Sequence, residues 1–151
     1  MRAAVEIGSR LEGGYDILVS SGAQRATHTL ACFLAGLGEK VRQGIVVEAG
    51  LRSGAEDRWR AAFEKAGSGA LQALRETDPD LVEEDSAALA AALRRILDGL
   101  AEGGRALVAG HSPTNEAAVF GLAGQVVEPS SKGGGVLVIE EDEAVLVEKL
   151  G

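Results

Sequence analysis

Residues 106–124 read A-L-V-A-G-H-S-P-T-N-E-A-A-V-F-G-L-A-G, and this stretch decides the fold. A run of small apolar residues ends at Gly110, His111 follows, and Ser112-Pro113 carries a helix-start signal, Pro at the first helical position behind a Ser cap. The pattern is a buried strand, a tight turn and a helix, the unit from which α/β domains are built. It puts His111 at the carboxyl end of a strand, next to the exposed N–H groups of a helix N-terminus, where an anion is favoured. A turn histidine satisfied by its surroundings fits the same residues equally well.

The flanking chain repeats the pattern. Y-D-I-L-V-S at 15–20 is a short apolar run bounded by Gly-Gly and Ser-Ser-Gly, which reads as a buried parallel strand. Ser21 is placed to cap a helix over 23–37, in which Ala26, Leu30, Phe33, Leu34 and Leu37 form one apolar stripe. Arg25 lies in its first turn, where the helix dipole disfavours a cation and a bound anion would relieve the cost; a solvated surface arginine is the plainer alternative. Ile45–Val47 makes a third, short strand.

Residues 51–80 read as a helical insert over the strand ends, with a helix opening at Glu56-Asp57 and reaching about Ala66, then a short one around Leu71 and Leu74. Such inserts commonly act as lids. The longest helix is expected over 81–100. After the central motif, S-S-K-G-G-G at 130–135 is a linker, and 136–139 and 144–150 form a hairpin. Residues 1–11 have helical spacing with no strand before them, which is odd for an alternating α/β chain.

Composition narrows the function classes. The chain of 151 residues, 46% apolar and 25% charged, fits one domain over 1–151. A formal charge of −8 argues against non-specific nucleic-acid binding, so any phosphate-binding patch is local. The single Cys32 excludes an internal disulfide and a cysteine metal cluster. No apolar run is long enough for a membrane span and no signal peptide is visible, so the expectation is a cytoplasmic protein without a membrane or nucleic-acid partner.

Two blocks together resemble the histidine phosphatase superfamily, the phosphoglycerate-mutase-like fold. L-V-S-S-G-A-Q-R-A-T-H-T-L at 18–30 is similar to the family's strand, S-S-P-x-x-R-A and helix. A-L-V-A-G-H-S-P-T-N-E-A at 106–117 is similar to its second-histidine motif. The resemblance implies a three-layer α/β/α sandwich with a mostly parallel sheet and a C-terminal β-hairpin. It also implies that Arg25 clamps a phosphate with His111 and Ser112, that Thr29 matches the usual helix threonine, and that no cofactor or metal is needed. Gly22 stands where the family commonly has Pro, which leaves the turn feasible but looser.

The departure is at the front. The family's first strand ends in an Arg-His-Gly motif whose histidine attacks phosphorus, and the sequence contains no such motif. His28, three residues after Arg25 on the helix, is expected to face away from the ligand and is a poor substitute. Phosphoryl transfer needs a nucleophile, cations around the equatorial oxygens and a proton donor. Arg25, His111 and the helix N-terminus supply only the second. Glu56 and Asp57 are the nearest candidates for the proton donor, although exposed helix-cap residues fit those positions as well. A rival likeness of Gly110-His111-Ser112-Pro113-Thr114 to the G-x-S-x-G nucleophile elbow fails, because the last Gly is Thr114 and no histidine follows His111.

The expected function is therefore a phosphomonoester hydrolase or mutase that is inactive or impaired in this chain. The alternatives are a non-catalytic protein that binds phosphate or a phosphorylated small molecule, and a purely structural domain. Without the family's first strand, the sheet is expected to close by moving the hairpin across to pair with 106–110, or to recruit a second chain as a homodimer.

Overall fold

The computed structural model describes residues 15–37, 44–130, 135–141 and 144–150. Among these, the strands are β1 (Ile17–Ser20), β2 (Ile45–Val47), β3 (Ala106–Ala109), β4 (Gly135–Glu141) and β5 (Ala144–Leu150). The α-helices are α1 (Gln24–Leu37), α2 (Glu56–Ala66), α3 (Leu71–Thr77), α4 (Pro79–Gly99) and α5 (Thr114–Ala123), with a 3-10 turn at Ala49–Leu51 between β2 and α2. The architecture is mixed α/β. Three parallel strands lie in the order β2-β1-β3, and β4-β5 form a separate antiparallel hairpin. The expected helix at 1–11, the linker at 131–134 and the hairpin turn at 142–143 lie outside the described residues.

β1 is central because both its neighbours pair with it in parallel, Leu18 opposite Ile45 on one side and Leu107 on the other. Successive side chains of a strand point to opposite faces. Leu18 packs with Ala26 and Leu30 of α1, while Val19 packs with Ala92 of α4 and with Leu51. Helices thus cover the sheet on both faces, which is why β1 reads as a continuous apolar run.

A second core is purely helical: Trp59 and Ala62 of α2, Leu71 and Leu74 of α3, Leu81, Val82 and Leu89 of α4, and Ala117 and Ala118 of α5. α4 opens on an Asp78 cap, whose carboxylate accepts from the Leu81 N–H at 3.1 Å, with Pro79 in the first turn. α5 lies deepest. Glu116, Ala117, Ala118 and Val119 are consecutive and all buried, so the helix has no solvent face in that turn.

Three expectations need correction. α5 begins at Thr114, with Pro113 in the cap position and no side-chain cap bond, because the Ser112 hydroxyl is taken by Glu116 instead. Ser21 does not cap α1: its hydroxyl is buried without a hydrogen-bond partner, and it is Ser20 whose oxygen accepts from the Gly22 N–H at 3.1 Å. The hairpin does not cross to β3. It packs through β5 on α5, and an ion pair between Glu140 of β4 and Arg94 ties it to α4. Among the described residues, no strand pairs with the edge of β3 that faces away from β1.

Candidate functional site

The pairing of β1 with β3 brings two strand ends side by side. Ser20 sits opposite Ala109, and the Ser21 N–H donates to the Ala109 carbonyl at 3.1 Å. The first turn of α1, with Arg25, and the turn into α5, with His111, therefore rise from the same carboxyl edge, where open α/β sheets bind ligands.

The His111 turn is fixed by its own sequence. Gly110 leaves the Asn115 side chain its place, since a Cβ there would run into the Asn115 carboxamide oxygen unless that side chain moved. The His111 carbonyl accepts from the Asn115 N–H and from the Thr114 hydroxyl, both at 2.8 Å. The imidazole is half-buried and makes no hydrogen bond among the described residues. On the other strand end, Ser20 and Thr27 share a 2.8 Å hydroxyl contact that binds β1 to α1. Thr29 donates to the Arg25 carbonyl at 2.9 Å and so serves its own helix. Arg25 is exposed, and its guanidinium has no ion pair among the described residues. His28 is exposed as well.

Ser112 is exposed and donates at 2.6 Å to Glu116, a carboxylate only 5% exposed whose second oxygen has no partner. The proton Ser112 could offer a phosphate oxygen is thus already given to Glu116. Glu116 is the residue that sequence reasoning passed over. Its one signal was a lone carboxylate four positions after Ser112, inside an otherwise apolar helix.

The insert reaches the same neighbourhood. Leu51 is wedged against Val19 and Val108, so the 3-10 turn is seated on the sheet, and it touches α5 as well. The chain is then pinned by Asp85 of α4, which accepts from the Ser53 hydroxyl at 2.6 Å and from the Trp59 indole N–H at 2.5 Å. Arg58 bonds the α4 cap Asp78 at 3.0 Å. Glu56, at the start of α2, forms an ion pair with Arg52 at 2.8 Å. That Arg52 bond, and Arg52's charge, hold the Glu56 carboxyl below the usual range; a smaller contribution in the same direction comes from His111. A general acid at neutral pH needs a raised pKa, so this pairing leaves Glu56 ionised rather than poised to donate. Asp57 stands in solvent, its side chain 98% exposed and 3.7 Å from Arg60.

Among the described residues no group of three His, Cys, Asp or Glu side chains is arranged to hold a metal, and no helix is long and apolar enough to cross a membrane. No protein-family model, curated protein or solved structure matches the chain.

Proposed function

We propose that the chain is a histidine-phosphatase-like domain whose carboxyl-edge site binds phosphate or a small phosphorylated molecule through Arg25 and His111, with little or no phosphomonoester hydrolysis or transfer. One observation carries this reading: the parallel pairing of β1 with β3 sets Arg25 and His111 on the same sheet edge.

The charge pattern supports it. Among the described arginines, Arg52, Arg58, Arg60, Arg94 and Arg95 are in ion pairs. Arg75 and Arg105 lie over the rings of Phe120 and Tyr15. Arg25 has neither kind of contact, in a chain whose formal charge is −8. An arginine left without a carboxylate where acids outnumber bases keeps its fork for an external anion.

Binding is read by thermal stability. A ligand that binds only the native state adds RT ln(1 + [L]/Kd), about 2.7 kcal/mol at a hundredfold excess over Kd. Phosphate or vanadate is expected to raise the melting temperature of the wild type and not of Arg25→Ala; equal shifts in both would put the site elsewhere. Aryl phosphate hydrolysis is expected to stay at background, with no acid-labile phosphoenzyme. Robust turnover that survives His28→Ala but not His111→Ala would make His111 the nucleophile and overturn the assignment.

A further inference from the structure

Arg52 is the ion-pair partner of Glu56, and the backbone that carries it is tightly placed. It follows Leu51, only 6% exposed and wedged between β1, β3 and α4. The platform behind it is fixed by Glu48, which accepts from the Gly50 N–H at 3.0 Å and from Arg95 at 2.9 Å. A Cβ on Gly50 would meet Arg95 Nη2 at 2.5 Å and Glu48 Oε1 at 2.9 Å, and so would displace the two side chains that pair here. The backbone that presents Arg52 is therefore anchored to the sheet on one side and to α4 on the other.

The guanidinium is held at one point only. Its Nε–H donates to Glu56 Oε1 at 2.8 Å, and both Nη groups are without partners among the described residues. Residues 52–58 surround a shallow concavity at this place. The 3-10 turn that ends at Arg52 rises where the Glu48 N–H donates to the Ser20 carbonyl at 2.9 Å, beside the end of β1, and it touches α5, whose entry turn holds His111. An arginine fork oriented by Nε, with its terminal donors unused, is preorganised for a tetrahedral oxyanion.

We propose that Arg52 is a binding arginine of the His111 site, held in reserve by Glu56, and that an incoming phosphate group displaces the Glu56 carboxylate and takes Arg52 as its own partner. This rests on the anion-site reading above, and it adds a second arginine to the site together with an acid that competes with the ligand. The ligand class follows: a dianionic phosphate group displaces a carboxylate, whereas a singly charged anion gains too little to do so. Glu56 thereby acts as a threshold against weakly charged ligands.

The test is calorimetric titration of the full chain with inorganic phosphate, and with acetate as the singly charged probe. Glu56→Gln is expected to tighten phosphate about two- to fivefold, the factor an exposed ion pair is worth, and to bring acetate binding into range. Arg52→Ala is expected to weaken phosphate about tenfold, and Glu56→Gln added to Arg52→Ala is expected to tighten phosphate by less than Glu56→Gln does alone. Circular dichroism confirms that each variant is folded, and Arg52→Lys serves as the milder second variant, with partial retention of binding. Phosphate binding lost in Arg25→Ala but unchanged or weakened in Glu56→Gln overturns the role of Arg52 and leaves the anion site standing. Tightening in Glu56→Gln with no effect of Arg25→Ala overturns the anion site as drawn and leaves Arg52 standing. No phosphate binding by any variant overturns both.

Discussion

Single residues set the distances on which the site depends, and Gly121 of α5 is the sharpest case. Replacing a glycine inside a helix by alanine ordinarily gains roughly 1 kcal/mol from backbone entropy. Here a Cβ would run into the Ser86 carbonyl oxygen of α4 and meet Ala90 Cβ at 2.8 Å, so the two helix backbones would have to part. Overpacking of this kind costs about 1–3 kcal/mol, and main-chain atoms cannot step aside as a side chain does. Gly121→Ala is therefore expected to destabilise despite its better helix propensity, seen as a lower urea midpoint at unchanged slope. A stabilised Gly121→Ala would mean that α4 and α5 are further apart than described.

At the scale of elements, Glu48 joins the 3-10 turn to α4. Hydrogen bonding to Arg95 comes first among the causes that hold its carboxyl below the usual value of 4.5, ahead of burial, which opposes it, and the Gly50 N–H. A carboxyl whose pKa is depressed on folding contributes stability that is present above the unfolded value and lost as pH falls through the folded one. Glu48→Gln keeps an acceptor for Gly50 but removes the charge. Its stability is expected to fall less steeply than that of the wild type from about pH 5 downward, while at neutral pH it is the less stable of the two; parallel acid limbs in urea titrations would show that the pair does not matter. Elements with punctuation in their own sequence were legible beforehand. α2 runs from Glu56 to a left-handed Gly67, and Asp78-Pro79 divides α3 from α4, as the residues imply. The start of α5 was not, because the Ser112 hydroxyl chose a buried carboxylate one turn away over the backbone N–H groups that capping rules assume. The same holds for the site. The edge shared by Arg25 and His111 follows from two strand-turn-helix units, whereas the Arg52–Glu56 and Ser112–Glu116 pairs depend on rotamers that spacing alone does not encode.

At the scale of the whole molecule, the position of the hairpin was the feature least accessible to sequence, because its anchors, α5 and Arg94, are tertiary. Its distance from β3 has a measurable signature. The carbonyls of Arg105 and Ala109 both accept from β1 or the residues flanking it, so in a parallel ladder the odd-numbered positions of β3 face β1 and Val108 faces away. The Val108 amide is expected to exchange with solvent much faster than that of Leu107; equal protection of the two would reveal another strand along that edge. The helix that follows β3 shows a different economy. Ala117 and Ala118 of α5, both buried, have no side-chain torsion to freeze, so at these two positions burial forfeits no rotamer entropy. His111 thus precedes a helix seated in part by side chains that have no rotamers, and that part of its seat is untouched by the side-chain hopping that loosens most protein interiors as they warm.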